Sequence, residues 1–159
     1  MKNIYQVLQD LEIQYAKHEH PAVFTVEDAN KYVINTETGH SKNLFLRNRK
    51  GNKYYLVVLE SEKKADLKKL AVTLGEKGLS FATEEKLMKY LGLTPGSVSP
   101  FGLINDLEKV VTVLIDTELM QNETIGFHPN INTATLVVNT GDFKKFLKWT
   151  GNEVIYLEI

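Results

Sequence analysis

One lysine in this sequence stands apart from the other basic residues around it. Residues 42–53 contain five basic side chains and no acidic one, although the whole chain has a formal net charge of only -1: Lys42, Arg47, Arg49, Lys50 and Lys53. Exposed charges at a hairpin tip commonly keep an edge strand soluble, which accounts for Arg49 and Lys50. That explanation suits Lys42 less well, because Lys42 stands where a loop enters an apolar strand.

Three further segments have the composition of loops that approach a ligand closely. Residues 39–43, 94–102 and 126–130 each contain glycine, which permits close backbone approach and presents bare N–H groups. If the three segments converge, they frame a pocket with one ammonium, several backbone donors and the imidazole of His128. The residues alone leave open whether these are ordinary connecting loops or an active site.

Several common catalytic patterns are absent. The chain has no cysteine, which excludes disulfides, thiolate metal sites and cysteine nucleophiles. It also has no glycine-rich nucleotide-binding motif and no Gly-x-Ser-x-Gly elbow, and the serines of residues 95–100 are typical of a capped turn. His18 and His20 alternate on a predicted strand but lack a third ligand at a recognisable spacing, so we expect no metal site.

The elements that must position these residues follow from hydrophobic periodicity and turn chemistry. The clearest is a hairpin of strands 43–47 and 53–59, joined by a glycine-containing turn at 48–52. Amphipathic spacing and capping residues predict helices at 4–11, 26–33, 66–74, 83–91 and 140–149. Further strands are predicted at 15–18, 80–82, 109–116, 133–138 and 154–157, and loops at 35–41, 93–102 and 126–130.

The mixture of helices and strands lacks regular strand–helix–strand alternation, which favours an α+β fold with a mixed, largely antiparallel sheet. The 43% hydrophobic content is sufficient for one core, and no linker divides residues 1–159, so we expect a single domain. Near-neutral charge argues against wrapping of long nucleic acids. With no signal peptide and no run of ~20 apolar residues, we expect a cytoplasmic protein that does not enter a membrane.

Three segments together resemble a known family. They are Lys-Asn-Leu-Phe-Leu-Arg at 42–47, Gly-Leu-Thr-Pro-Gly-Ser-Val-Ser-Pro-Phe-Gly at 92–102, and Gly-Phe-His-Pro-Asn at 126–130 with Thr-Ala-Thr at 133–135. Their order and spacing are similar to those of the YbaK/ProX family of trans-editing aminoacyl-tRNA deacylases. The form of the first segment resembles most the alanine-removing branch called PrdX or ProXp-ala, itself similar to the editing domain of bacterial prolyl-tRNA synthetases.

The resemblance spans nearly the whole chain and implies a fold, a reaction and site residues. It implies a partly barrel-like sheet flanked by helices, and hydrolysis without a cofactor of the ester that joins an amino acid to tRNA. The essential lysine of the family falls on Lys42 and its neighbouring asparagine on Asn43. The family's glycine-bearing loops fall on residues 99–102, which include Ser99 and Gly102, and on 126–128. The implied substrate is Ala-tRNA(Pro), and prolyl-tRNA synthetase is an implied partner.

These residues suggest a mechanistic hypothesis. Lys42 would donate from its ammonium to the substrate carbonyl or to a nearby phosphate, while backbone N–H groups near Gly102 and Gly126 would share the oxyanion. Asn43 and His128 would orient substrate or water, with assistance from the ribose 2′-hydroxyl. In the rival hypothesis, burial keeps Lys42 neutral and it acts as a general base.

Specificity would come from a small pocket and tRNA binding from the hairpin. By proximity to the motifs, Ile34, Phe45 and Val98 are candidate pocket walls, and Arg47 with the rest of the basic hairpin would contact the acceptor-stem backbone. The residues leave other functions open. The substrate could be Cys-tRNA or Ser-tRNA, the chain could be a non-catalytic regulatory binding protein, or it could be a small-ligand domain with no RNA role.

Overall fold

The computed structural model describes residues 3–22 and 38–159. Helix α1, Ile4–Asp10, begins at the capping residue Asn3, whose side chain accepts a hydrogen bond from the Gln6 amide. The helices that follow are α2 (Leu67–Leu74), α3 (Glu84–Leu91) and α4 (Thr140–Thr150). Short 3-10 helices cover Pro100–Asn105 and Leu119–Gln121.

Within the described residues, eight strands form one open sheet. The strands are β1 Tyr15–Glu19, β2 Thr38–Asn48, β3 Tyr54–Glu60, β4 Leu79–Phe81, β5 Val111–Asp116, β6 Thr124–Phe127, β7 Ala134–Asn139 and β8 Val154–Leu157. Their order is β1-β7-β6-β2-β3-β5-β8, with β4 also paired to β2. Four pairings are antiparallel, and β2–β6, β3–β5 and β5–β8 are parallel, which confirms the α+β class with a mixed sheet.

Strand β2 is the longest of these strands and joins two parts of the sheet. Residues 41–47 pair with β3 along one edge. On the opposite edge, residues 38–40 pair with β6 and residues 46–48 pair with β4. Between these two partners, the edge of β2 around Lys42 and Asn43 is bonded to no described strand. Among the described strands, pairing is therefore interrupted beside the two residues singled out by the sequence.

Alternation along β2 and β3 divides the core between the two faces of the sheet. Phe45, Leu56 and Val58 belong to one buried cluster, which also contains aromatic rings from the first 3-10 helix, β6 and α4. Leu46 and Val57 belong to a second cluster, closed by α2. The near-continuous apolar run of β3 is explained by this burial on both faces.

Most sequence predictions are confirmed, including α1, the hairpin, and the helices capped by Asp66 and Thr83. Two predicted loops are partly wrong, because residues 38–41 belong to β2 and residues 124–127 form β6. These segments pair with each other in parallel across about eighty intervening residues, a long-range contact that local composition does not signal. In the loop predicted at 93–102, a 3-10 helix begins at Pro100. The predicted helix at 26–33 lies outside the described residues.

No helix in residues 3–22 or 38–159 is long and apolar enough to cross a membrane.

Candidate active site

Lys42 lies in the middle of β2, opposite Leu59 of β3, and is half-buried. Its ammonium group donates a hydrogen bond to the backbone carbonyl of Lys63, in the turn that follows β3. An ammonium has three donors, so two N–H groups of Lys42 are available to a ligand. The strand alternation places Lys42 on the same face as His40.

Asn43 lies on the opposite face of β2, with Ser41 and Phe45. Its Nδ2 group donates a long hydrogen bond of 3.4 Å to Ser41 Oγ, and its buried Oδ1 atom has no hydrogen-bond partner. The side chains of Lys42 and Asn43 are therefore separated by the backbone of β2. A substrate that contacts both side chains would therefore have to meet them on two sides of β2, beside the stretch of its edge that no described strand covers.

The pairing of β2 with β6 brings two of the three glycine-bearing segments together. His40 is the register partner of Gly126, and Ser41 Oγ donates to the Gly126 carbonyl at 3.3 Å. A Cβ atom at Gly126 would lie 3.0 Å from Thr135 Cγ2 on β7. Gly126 therefore lies on the Lys42 face of the sheet, half-buried, with the Thr135 methyl group packed close to its backbone.

His128 follows β6 closely, and its environment defines its protonation. Its Nδ1 atom lies 3.0 Å from the Ala134 carbonyl, which can only accept, so Nδ1 carries the proton. Burial lowers the pKa of His128 below its usual 6.5, against the opposing effect of the Ala134 bond and with a further lowering by His20. The ring is therefore neutral at pH 7, and its Nε2 atom has a free lone pair. The His20 ring lies 6.1 Å away and is bonded to Thr135 Oγ1 at 2.9 Å.

The third segment joins the others through Phe101. Its ring packs edge-on against Phe127 at 5.6 Å, and its carbonyl accepts from Asn130 Nδ2 at 3.4 Å. Ser99 is fully buried and caps the 3-10 helix by accepting from the Phe101 amide at 3.2 Å. The N–H of Gly102 donates to the Ser99 carbonyl at 3.0 Å. That bond engages the Gly102 amide within the loop, so an oxyanion contact near Gly102, which stays a prediction, would need another N–H group of this segment.

The other residues predicted to bind substrate have structural contacts. Phe45 is buried and stacks on Tyr54 at 5.7 Å, which places its ring in the core. Arg47 donates to the carbonyls of Asn48 at 3.2 Å and Arg49 at 3.0 Å, so it stabilises the hairpin turn. Val98 is half-buried against the same core cluster as Phe45. Ile34 lies outside the described residues.

Sequence reasoning missed His40 and Thr135 as members of this face. His40 stands two residues before Lys42, and its Nε2 atom is buried without a hydrogen-bond partner. The alternation of β2 could have indicated His40 if residues 38–41 had been recognised as a strand. Residues 3–22 and 38–159 contain no cluster of three or more histidine, aspartate or glutamate side chains that could hold a metal ion.

Comparison with known proteins identifies a family for this chain. Residues 20–146 match the model of the family described as the aminoacyl-tRNA editing domain. The prolyl-tRNA editing protein ProX of Acetoanaerobium sticklandii is 43% identical over 152 residues, covering 96% of this chain and 93% of that protein. The prolyl-tRNA synthetase associated domain-containing protein 1 of Xenopus laevis is 36% identical, covering 94% and 91%.

A solved structure with a fold similar to that of this chain is also known. The structure of a protein provisionally described as a trans-editing enzyme for prolyl-tRNA synthetase superposes with a TM-score of 0.71 at 22% identity. The alignment covers 98% of this chain and 96% of that one. At this identity the match supports the fold alone.

Proposed function

The chain belongs to the aminoacyl-tRNA editing domain family, and from that membership we propose that it removes alanine from mischarged tRNA(Pro). As a member of this family the protein is an aminoacyl-tRNA deacylase that acts in trans. One observation supports the proposal most directly. The face of the sheet that carries Lys42 also carries Gly126, and the neutral His128 follows within two residues of that glycine.

The reaction is hydrolysis of an activated ester. The oxygen of a water molecule attacks the aminoacyl carbonyl carbon, the bond from that carbon to the ribose oxygen breaks, and a proton passes to the leaving oxygen. An aminoacyl ester is reactive enough that positioning and stabilisation of the oxyanion can supply the rate. We assign the oxyanion contact to the two N–H groups of Lys42 that the Lys63 carbonyl leaves available.

The lone pair on His128 Nε2 makes this residue a candidate general base. It would accept the proton of the attacking water and return it to the leaving ribose oxygen. The Ala134 carbonyl supports this role because it holds the proton on Nδ1 and leaves Nε2 available. Asn43, on the other side of β2, would bind a donor of the substrate through its unpartnered Oδ1 atom. The ribose 2′-hydroxyl is such a donor.

Alanine is the amino acid that a synthetase for proline excludes poorly. Each missing methylene contributes only ~1–3 kcal/mol to discrimination, so a smaller second site is an effective correction. The relative named as a prolyl-tRNA editing protein supports tRNA(Pro) as the carrier, and the relative named as prolyl-tRNA synthetase associated supports prolyl-tRNA synthetase as a functional partner. Removal of cysteine or serine from the same tRNA is the alternative within the same chemistry.

Binding of the tRNA acceptor end would use the hairpin between β2 and β3. Arg49 and Lys50 are exposed at its turn, whereas Arg47 is occupied with the turn backbone. Exposed cations at this position can contact phosphates without requiring a basic protein overall.

The decisive test is deacylation of Ala-tRNA(Pro), Cys-tRNA(Pro) and Pro-tRNA(Pro) under single-turnover conditions. We expect fast loss of alanine, slow loss of cysteine and no loss of proline. Hydrolysis of cysteine alone would replace alanine by the alternative substrate. Absence of hydrolysis with all three would refute editing of tRNA(Pro).

A further inference from the structure

The turn that binds the Lys42 ammonium is held by a buried carboxylate. Asp116, at the end of β5, is fully buried and accepts from the Glu60 amide at 3.2 Å and from Lys63 Nζ at 3.1 Å. Glu60 and Lys63 are the first and last residues of this turn, which is closed by a hydrogen bond from the Lys63 amide to the Glu60 carbonyl. Asp116 therefore holds both ends of the turn.

The Lys63 side chain completes this anchoring. Besides Asp116, its ammonium contacts Glu118 at 2.6 Å and the Ile159 carbonyl at 3.1 Å. Burial acts to lower the pKa of Lys63, but the hydrogen bonds to Glu118 and Asp116 prevail and raise it, so the group is charged. None of these side-chain contacts involves Lys42, which meets the backbone carbonyl of Lys63 instead.

We propose that Asp116 and Lys63 are positioning residues that place the Lys42 ammonium for catalysis through the Lys63 carbonyl. The proposal rests on the proposed function of Lys42. The carbonyl is present whatever side chain occupies position 63. A change of side chain at position 63 therefore moves the carbonyl that accepts from Lys42 but does not remove it. A displacement of about 1 Å at a catalytic group can reduce a rate by ~10²-fold.

The chain contains a matched control for Asp116. Asp106 is also buried, and it accepts from the amides of Val110 at 3.0 Å and Val111 at 2.9 Å and from Asn152 at 2.8 Å. It has the same chemical character as Asp116, but these hydrogen bonds do not involve Lys42 or the turn that holds it. Replacing either carboxylate with asparagine should cost comparable stability.

The experiment compares Asp116→Asn, Lys63→Met and Lys63→Arg with Asp106→Asn in single-turnover deacylation, with unfolding measured for each. We expect a ~10- to 100-fold lower rate constant for Asp116→Asn and Lys63→Met, an unchanged enzyme concentration for half-maximal rate, and partial recovery in Lys63→Arg. Asp106→Asn should keep the wild-type rate. Equal rates in Asp116→Asn and Asp106→Asn, with both folded, would overturn the proposal.

A second readout separates this proposal from the proposed function. The Lys42 signal in NMR of protein labelled with ¹³C at the lysine Cε atoms, assigned by Lys42→Arg, should shift in Asp116→Asn and Lys63→Met but not in Asp106→Asn. That shift tests positioning even in a protein without deacylase activity. A Lys42 signal that is the same in all three variants would overturn the positioning role, whatever the substrate of the enzyme is.

Discussion

Lys42 and Asn43 are neighbours in the chain, yet their side chains lie on opposite faces of β2. Lys42 reaches the Lys63 carbonyl, whereas Asn43 donates to Ser41 Oγ at 3.4 Å. Two adjacent residues can thus act on one substrate without competing for space, since no described strand covers the edge beside them between β6 and β4. Substitutions of Lys42 and of Asn43 therefore change contacts on different faces of β2, so their effects can be assigned separately.

Lys42→Ala should reduce the single-turnover rate of deacylation by ~10²- to 10³-fold, the usual effect of removing one oxyanion donor. The free energy of unfolding should fall by less than about 2 kcal/mol, because one half-exposed hydrogen bond is removed. Lys64→Ala is the control, since Lys64 is exposed and adjacent to the residue whose carbonyl binds Lys42. Comparable rates for the two variants would contradict the assignment of Lys42.

Asn43→Ala should lower the rate while leaving stability within about 1 kcal/mol of the wild type. The buried Oδ1 atom has no partner, and an unpaired buried acceptor costs free energy that its removal restores. Chemical denaturation and deacylation kinetics measure the two effects. A strongly destabilised variant would show that Asn43 has a structural role instead.

The pH dependence should reveal His128. The pKa of His128 in the folded state is lowered from 6.5, so the unfolded chain binds the proton more readily. The contribution of neutral His128 to the free energy of unfolding is therefore complete above pH 6.5. It is lost as the pH falls through the lower folded-state pKa. Denaturation at several pH values between about 7 and 5 should show this loss in the wild type and a smaller loss in His128→Asn. The deacylation rate should stay constant near pH 7 and fall only below pH 6.5. A rate already declining at pH 7 would argue against neutral His128 as the base.

Gly102→Ala should destabilise the protein by roughly 1–3 kcal/mol through overpacking. A Cβ atom there would lie 2.6 Å from Leu93 Cδ1 and 3.0 Å from the Leu91 carbonyl, and the carbonyl cannot rotate away. Gly78→Ala is a suitable control, because a Cβ atom at that position would approach no atom more closely than Arg49 Nε, at 3.8 Å. Thermal and chemical unfolding of both variants would test this; equal stabilities would show that the loop around Gly102 adapts.

Replacing Arg49 and Lys50 with glutamine should weaken tRNA(Pro) binding at low salt and flatten its salt dependence. Removing one phosphate contact reduces the slope of log affinity against log salt by about 0.7–0.9. The same substitutions at Lys144 and Lys148, exposed on α4, provide a charge-matched control. A slope that is identical in both double variants would exclude the hairpin as the RNA contact.

Local patterns in the sequence determined most of the secondary structure. The hairpin of β2 and β3 follows from apolar strands around a glycine turn, and the caps at Asp66 and Thr83 follow from side chains that bond free helix amides. The motif around Lys42 also indicated the family to which the chain belongs. These features depend on residues within a few positions of each other, so composition and spacing are sufficient to predict them.

The arrangement of the site was decided by contacts between distant segments. Only the tertiary structure pairs His40 with Gly126, joins Lys42 through the Lys63 carbonyl to Asp116, and shows that the Gly102 amide is already bonded. The period of a strand indicates that Lys42 and Asn43 face opposite ways, but not what each face meets. That depends on which strands lie side by side, and strand pairing is set by burial and backbone hydrogen bonding across the whole chain.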